Sequence, residues 1–353
     1  MRGKHIDSEV ILGVDTHLDI HVAAAINGAG ILLGTRSISV SSTGYLDLID
    51  WASSLGHIRR AGVEGTGTYG AALADALKGH GITVFEVNRS DRAKRRLQGK
   101  SDPTDAENAA RAVLSGTATA TPKNHSGACE AMRIASVARR SAVKARTQAI
   151  NQIRALLVSA PQDVREKLWR VKAQDCVNAC LRMRGLGITP HLSTLAVALK
   201  SIAKRWQFLS KEVAHLDAEL DRLTRIHASK LRSRFGVGPN TAATLLSVAG
   251  DNPDRLKSEA SLAALCGVNP LPASSGKTVR HRLNRGGSRA ANNALWTIAM
   301  VRMRSDPRTR VYVQRRTGEG LSTKEIHRCL KRYIARELYP IITAELSELQ
   351  AVS

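Results

Sequence analysis

Cysteine is scarce in this 353-residue chain, and long apolar runs are missing. The five cysteines form no CxxC pair with spaced histidines, which excludes a zinc-finger pattern and gives no basis for a disulfide framework. No stretch of about 18 uncharged apolar residues occurs, so no membrane span is predicted. The first ten residues, MRGKHIDSEV, lack the apolar core of a signal peptide. We therefore expect a soluble, cytoplasmic protein with reduced thiols.

Acidic residues are outnumbered in one part of the chain only. Residues 1–120 contain 13 basic and 13 acidic side chains, whereas residues 121–353 contain 40 basic and 17 acidic ones. The whole net charge of +23 therefore lies after residue 120. Such a charge density predicts a polyanionic partner, and nucleic acid fits best. Aromatic residues are only 3% of the chain, so phosphate contacts should outweigh base stacking.

The neutral first part is predicted to be a mixed α/β domain. Short β-rich runs separated by glycine-containing turns predict three successive antiparallel strands, at 10–14, 20–26 and 31–40. A helix at 44–55 with Ser42 as its N-cap follows, then a strand at 61–64, a helix at 69–78, a strand at 82–87 and a helix at 102–114 opened by Pro103. The order βββαβαβα is that of the RNase H fold, from which no function follows by itself.

The basic part is predicted to be mostly helical. A long helix is expected at 128–158 and a second at 194–231, with a break at 185–190. The second has heptad-like apolar spacing, which fits a coiled-coil arm and equally fits two helices packed inside a globular domain. The heptad-like residues are Leu209, Val213, Leu216, Leu220 and Leu223.

Four carboxylates recur at three points of the predicted first domain. Asp15 follows the first strand and Glu64 the fourth, while Asp102 and Asp105 share one face of the last helix. Each has a plain alternative, as a turn residue, a surface acid or a helix N-cap. Their joint recurrence favours a site for Mg²⁺ or Mn²⁺, because clustered carboxylates need cations and hard cations prefer oxygen ligands. Two such ions about 4 Å apart could clamp a phosphate.

Three motifs resemble those of a known family. GVDTH at 13–17, EGTGTY at 64–69 and KSDPTDA at 100–106 are similar to the DEDD motifs of the IS110 family of insertion-sequence transposases, to which the Piv and MooV DNA invertases also belong. Residues 235–304 resemble that family's second transposase region. The resemblance implies an RNase-H-like (RuvC-like) catalytic domain, phosphoryl transfer on donor and target DNA, a bridge RNA partner, and a homo-oligomer, dimer or tetramer. It also implies a prokaryotic protein associated with the nucleoid when it acts.

The segment CGVNPLPASSGK at 266–277 resembles the family's Gly-x-x-Pro, spacer and Ser-Gly pattern. The resemblance implies that Ser275 is the nucleophile of a phosphoserine–DNA intermediate, with Ser274 as a neighbour that could be mistaken for it. Without the resemblance, a flexible loop is the simpler interpretation. The sequence from Gly276 to Thr278 looks like the end of a P-loop, but Leu271 stands where its first glycine should be, so ATP binding is not predicted.

Two further features point to nucleic acid. FGVGPNTA at 235–242 is a helix-hairpin-helix signature, in which Gly236 and Gly238 would let backbone amides approach a phosphate; a simple tight turn is the alternative. Basic residues are dense after Ser275, where few acids interleave, although a solvated basic loop is also possible. The candidate phosphate-binding side chains are Lys277, Arg280, Arg282, Arg285 and Arg289.

These predictions combine into three expected domains: an RNase-H-like DEDD domain at 1–122, a helical or coiled-coil arm at 123–231, and a C-terminal transposase domain at 232–353. The expected function is DNA cleavage and strand exchange for an insertion sequence. Two alternatives stay open. One is a metal-dependent nuclease of the Holliday-junction resolvase type with Ser275 as a bystander, and the other is a non-catalytic nucleic-acid-binding protein.

Overall fold

The computed structural model describes residues 9–87, 101–125, 127–252, 256–278 and 280–352, so Lys100 of the third motif lies outside the described residues. The chain divides into two compact units, Met1–His125 and Ser126–Ser353. Within the described ranges, no helix is both long enough and apolar enough to cross a membrane.

The first unit is a five-stranded mixed sheet in the order β3-β2-β1-β4-β5. Strands β1, β2 and β3 are antiparallel neighbours, whereas β4 and β5 run parallel to β1. Among the described residues of this unit, the predicted βββαβαβα order is confirmed. Its elements are β1 (Glu9–Thr16), β2 (Ile20–Asn27), β3 (Leu32–Ser39), α1 (Ser42–Leu55), β4 (His57–Glu64), α2 (Ala71–Gly79), β5 (Thr83–Val87) and α3 (Asp102–Leu114).

Both faces of the sheet are covered, which explains why β1 is buried without interruption from residue 10 to residue 15. Val10, Leu12 and Val14 face a core shared with α1 and α2. Ile11, on the opposite face, packs with Ala110 and Val113 of α3. The central strand therefore lies between two layers of helix, and its end is held from both sides.

Two glycines bring α3 onto the sheet. Gly13 and Gly62 are registered partners on β1 and β4. A Cβ atom at Gly13 would lie 2.0 Å from the carbonyl oxygen of Ala106, and one at Gly62 would lie 2.7 Å from that of Ala109. Only glycine permits this approach of helix backbone to strand backbone. The first turn of α3 consequently lies beside the end of β1.

The second unit is helical apart from one small β-hairpin, in the part of the chain that the structure describes. Its two long helices, α4 and α7, pack along each other. Its elements are α4 (Ala128–Val158), α5 (Gln162–Leu168), α6 (Ala173–Arg182), α7 (Pro190–His227), α8 (Ser229–Arg232), α9 (Pro239–Ala249), α10 (Glu259–Leu265), β6 (Pro270–Pro272), β7 (His281–Leu283), α11 (Arg289–Ser305), α12 (Pro307–Gly318) and α13 (Thr323–Val352).

The long helices contribute to two cores. One end of the pair buries Met132 and Leu220 among the C-terminal helices. The other end buries Ile153 and Leu199 together with Cys176 of α6. Of the heptad-like residues, Val213, Leu220 and Leu223 are buried, while Leu209 and Leu216 are half-buried.

Several predicted boundaries are wrong. The N-cap of α1 is Ser41, whose hydroxyl accepts from the amide of Gly44, and not Ser42. β4 begins at His57 and α2 at Ala71. The second long helix begins at Pro190, whose missing N–H suits a first turn, and ends at His227, so that position 231 falls in α8. Two short helices, α5 and α6, lie between the end of α4 and the predicted break at 185–190, where no helix had been predicted.

Candidate active site

The ends of β1 and β4 carry the first two candidate acids. Val14 and Val63 are the last registered pair, so Asp15 and Glu64 follow on adjacent parallel strands. The Thr16 hydroxyl donates to the carbonyl oxygen of Glu64 at 2.8 Å, which ties the two strand ends together. After Glu64 the chain turns sharply through Gly65, whose φ of 67° is a left-handed conformation that favours glycine.

The first turn of α3 carries the other two acids. Ser101 is extended and precedes the helix, and Asp102 and Asp105 lie within its first turn. Unpaired amides at a helix N-terminus give it a partial positive charge, which favours carboxylates there. Because Gly13 and Gly62 allow α3 to lie on β1 and β4, this turn reaches the strand ends. Asp105 is buried, and Asp102 is about half exposed.

A histidine lies between two of the acids. His17 Nε2 is 3.2 Å from Asp15 Oδ2 and 3.5 Å from Asp102 Oδ2. Ligand atoms of these three residues all lie within 4.8 Å of one another, a spacing that could hold a metal ion. Within the described residues this tight group does not include Glu64 or Asp105. The fourth motif acid, Asp105, is nevertheless close enough to raise the pKa of Asp15.

The electrostatics of the site favour a bound cation. Burial raises the pKa of Asp15; the charge of His17 opposes the shift, and Asp105 and Asp102 add to it. Within the described residues, His17 Nε2 is buried and makes no hydrogen bond. A divalent ion would offset the repulsion between the carboxylates, and His17 Nε2, which already lies beside two of them, could ligate it when unprotonated. The donor set of carboxylate oxygens and one imidazole fits Mg²⁺, and Mn²⁺ more readily because it accepts nitrogen ligands.

His17 and His21 are the residues that sequence reasoning missed. The backbone amide of His17 donates to Nδ1 of His21 at 3.3 Å. His21 is fully buried and stacks on Tyr45, and that burial is the main cause that lowers its pKa, which favours the neutral imidazole. A signal was available: residues two apart at a strand end project to the same side, which places position 17 beside the acid at position 15.

Ser275 lies on the second unit, at the tip of a hairpin that we call the serine hairpin, whose described residues are 270–278 and 280–283. Strands β6 and β7 are antiparallel, and the ladder continues to Ser275 and Thr278, whose backbones exchange two hydrogen bonds of 3.1 Å. Gly276 begins the turn with a φ of 55°, as primed hairpin turns require. The segment expected as a possible flexible loop is therefore hydrogen-bonded.

The two serines differ in their hydroxyl contacts. Ser274 Oγ accepts from the amide of Arg280 at 3.3 Å, across the hairpin. Within the described residues, the hydroxyl of Ser275 makes no hydrogen bond, and its side chain is exposed. The base of the hairpin is braced by Asn284, whose Nδ2 donates to the carbonyl oxygen of Ala264 and to Asn269 Oδ1.

The five candidate phosphate-binding side chains around the hairpin are all exposed, and within the described residues none has a carboxylate within 4.0 Å. Lys277 is in the turn of the hairpin, and Arg280 and Arg282 are on the arm that contains β7. Arg285 is in the loop that follows, and Arg289 begins α11.

The helix-hairpin-helix candidate is a turn between α8 and α9. Gly236 has a φ of 83°, and Gly238 is the N-cap of α9. The amide of Gly238 donates to Thr241 Oγ1 at 3.0 Å, so one of the two predicted amides already has a partner inside the protein.

Comparisons with known proteins are consistent with this arrangement. Residues 12–160, which include all four candidate acids, match the DEDD transposases of the IS110 group, so the class of the protein is a DEDD transposase. Residues 228–314, which include Ser275, match the transposase family IS116/IS110/IS902. The two segments cover two thirds of the chain, and the protein belongs to the IS110 family of transposases.

One curated relative comes from Mycobacterium paratuberculosis. It is the uncharacterised 42 kDa protein of insertion element IS900, to which the chain is 29% identical over 136 residues. That match covers 38% of this chain and 34% of the relative, so the chain spans about a third of the relative's length.

Proposed function

We propose that this protein is a DNA recombinase that cleaves and exchanges strands for an insertion sequence. In this proposal the first unit is an RNase-H-like domain that binds divalent metal through Asp15, Glu64, Asp102 and Asp105, and the second supplies Ser275. The observation that carries the proposal is the close packing of α3 on the sheet. The glycines at 13 and 62 allow this packing, which brings Asp102 and Asp105 to the ends of the strands that carry Asp15 and Glu64.

Mg²⁺ or Mn²⁺ bound among these acids would supply positive charge to a phosphodiester and lower the cost of its transition state. The chain's own part is to hold the carboxylates in place before substrate arrives. Burial of Asp15 excludes water from one side of the group, and His17 lies where it can act as a further ligand or hold a proton between Asp15 and Asp102.

The serine step is a phosphoryl transfer. The Oγ of Ser275 attacks a backbone phosphorus and loses its proton, the bond from phosphorus to one DNA oxygen breaks, and that oxygen leaves as a hydroxyl after gaining a proton. The phosphoserine ester keeps the phosphodiester bond energy for the reverse transfer to a new DNA end. The exposed position of Ser275 at a hairpin tip suits attack on a strand that is bound at the surface.

Nucleic-acid binding is assigned to the second unit. The exposed cations of the serine hairpin would contact phosphates of donor and target DNA, and the Gly236–Gly238 turn would contact another phosphate as a helix-hairpin-helix. The net charge after residue 120 and the family resemblance also support a bridge RNA partner. We further propose a helical arm at 123–231, a transposase domain at 232–353, and a dimer or tetramer in which Ser275 and the carboxylates of different subunits form one composite centre.

A denaturing gel of labelled DNA tests the serine assignment. Wild-type protein should leave a covalent protein–DNA adduct, Ser275→Ala should leave none, and Ser274→Ala should leave it detectable. An adduct lost only in Ser274→Ala would move the nucleophile by one residue. No adduct from a cleaving wild-type enzyme under trapping conditions would favour a hydrolytic nuclease, and no metal-dependent cleavage at all would favour a binding protein without catalysis.

Sequencing of RNA that co-purifies with the protein tests the RNA partner. Bulk positive charge would retain transcripts of many kinds, whereas a bridge RNA would be one transcript encoded next to the gene. A wash at high salt weakens nonspecific phosphate contacts steeply, so a specific RNA should be enriched after it. A random transcript population after the wash contradicts RNA guidance.

A further inference from the structure

A cavity of about 480 Å³ lies at the base of the serine hairpin, between the hairpin and α13. Its volume is in the range of sites that bind small ligands or single residues of a polymer. Residues of the loop before β6, of β7 and of α13 form its walls. Five of the lining side chains are basic: Arg282, Arg328, Lys331, Arg332 and Arg336.

Only part of this charge is neutralised within the protein. Arg332 makes a bidentate pair with Glu259, with Nη2 to Oε1 at 2.7 Å, and Arg336 Nε lies 3.9 Å from the same carboxylate. Within the described residues, no carboxylate lies within 4.0 Å of Arg282, Arg328 or Lys331. Of the three, Arg328 feels a carboxylate at longer range, because its charge contributes to lowering the pKa of Glu325 one turn earlier in α13. Three cations without an ion-pair partner around one cavity still favour an anionic ligand.

Lys331 is held in place in this group. Its Nζ donates to Asn292 Oδ1 at 2.8 Å, and Asn292 Nδ2 donates at 3.0 Å to the carbonyl oxygens of Cys266 and Gly267. The lysine is thus fixed against the loop that leads into β6. It is half-buried, and this burial, with a smaller contribution from Arg328, lowers its pKa. Keeping the ammonium of Lys331 charged costs free energy when it is partly removed from water and close to a second cation. A bound anion would offset this cost.

The cavity also has an apolar side, formed in part by Val268, Leu283 and Tyr333. Tyr333 is 54% exposed, and its ring is oriented by an edge-to-face contact with Tyr312 at a centroid distance of 5.8 Å. The chain has 12 aromatic residues, and Tyr333 is one of the exposed ones. Cations beside an exposed aromatic face are the combination that binds unstacked bases and their phosphates.

We propose that this cavity binds one unpaired nucleotide of the DNA strand that Ser275 attacks, with its phosphate on Arg328 and Lys331 and its base against Tyr333. Ser275 is five residues beyond Pro270, about 16 Å along an extended chain, so a strand held in the cavity can reach the hairpin tip. The identity of the strand rests on the proposed function; the nucleotide site itself does not.

Fluorescence anisotropy with a labelled single-stranded oligothymidylate of about 12 nucleotides tests the site. Arg328→Gln and Lys331→Gln should each weaken binding about tenfold, because each removes a charged contact to phosphate. The matched control is Lys324→Gln, the same change at an exposed position of α13 outside the cavity, and it should change affinity less than about twofold. Arg328 is exposed, so its variant should fold even if the half-buried lysine variant does not. Equal effects of all three variants would overturn the proposal.

The base contact has its own test. Tyr333→Leu keeps an apolar side chain but removes the ring, and should weaken binding about fivefold or more. A 4-thiothymidine probe should crosslink to residues of the cavity wall in wild-type protein. Crosslinks that map only elsewhere, or a ribo-oligonucleotide that responds to these variants when the DNA does not, would overturn the proposal.

The two hypotheses fail separately. If the wild type forms the adduct at Ser275 but Arg328→Gln binds the oligonucleotide as tightly as the wild type, the cavity proposal is wrong and the recombinase proposal is still supported. If the cavity variants bind the oligonucleotide more weakly but the wild type forms no adduct, the nucleotide site is supported and the recombinase proposal is wrong.

Discussion

The two units carry their candidate reactive groups in opposite ways. In the first, the acids are brought together by backbone packing, and Asp15 and Asp105 are buried. In the second, Ser275 is exposed at the tip of a hairpin among exposed cations. The first unit is electrically neutral overall but concentrates negative charge at one sheet end, whereas the second is basic over most of its length.

This difference indicates a division of work. Carboxylates that bind metal must be held close together against their repulsion, which needs a rigid and partly buried site. A nucleophile that attacks a polymer must reach the polymer, which needs an exposed position. Mutations in the first unit should therefore affect both chemistry and stability, whereas mutations at the hairpin tip should affect chemistry alone.

The largest effect is expected at the acids of α3. Asp102→Asn or Asp105→Asn should lower the rate of DNA cleavage by about a thousandfold or more, because charge that binds the metal is lost. Affinity for DNA should stay within about twofold, since the whole excess of basic over acidic residues lies after residue 120. Cleavage assays in Mg²⁺ and anisotropy on the same preparations measure the two quantities. The control is Asp47→Asn at an exposed position of α1. A folded variant that cleaves at the wild-type rate means that the metal site is wrongly assigned.

The next largest effect is expected from a substitution that disturbs the packing of α3 on the sheet. A methyl group at Gly13 would lie 2.0 Å from the Ala106 carbonyl oxygen and 2.2 Å from the Ala110 amide nitrogen, both backbone atoms of α3. Gly13→Ala should therefore lower the free energy of unfolding by about 3 kcal/mol and weaken metal binding, because the helix must lift from the strand. Urea denaturation gives the first quantity and calorimetry with Mn²⁺ the second.

Gly28→Ala is the matched control for this prediction, because a Cβ there meets no described atom within 4 Å. Its effect on stability should stay within about 0.5 kcal/mol. If the two glycine variants are equally stable, close packing of α3 is not what brings the acids together.

Much of this arrangement could be predicted from sequence. The bounds of α3 and α4 agree with the structure, because Pro103 marks a helix start and a 31-residue helix shows its periodicity over many turns. The short helices α5 and α6 were missed because 7 and 10 residues give too few turns to show a pattern. As predicted, Asp15 and Glu64 lie at strand ends, and Asp102 and Asp105 lie in the first turn of α3. The closeness of His17 to Asp15 could have been predicted from their spacing of two, but its contact with Asp102 could not. That contact depends on how close α3 lies to the sheet, which two glycines from separate strands determine.

The smallest effect tests whether the acid cluster opposes folding when no metal is bound. The pKa of Asp15 is raised above its ordinary value of 3.8, chiefly by burial and also by Asp105 and Asp102, despite the opposing effect of His17. A carboxyl whose pKa is higher in the folded than in the unfolded state favours folding while it is protonated. That contribution is lost as the pH rises through the raised folded pKa.

Near neutral pH, Asp15→Asn should therefore raise the thermal midpoint of chelator-treated protein by about 2 to 4 °C, a gain of about 1 kcal/mol or less. The gain should disappear at a pH below 3.8, where the wild-type carboxyl is protonated in both states. Saturating Mg²⁺ should reverse the order, because ligand binding stabilises only the protein that retains the site. Ser275→Ala should leave the midpoint unchanged in all three conditions. A metal-free Asp15→Asn protein that melts below the wild type near neutral pH would show that His17 already compensates the charge of Asp15, and that the cluster is a structural ion pair.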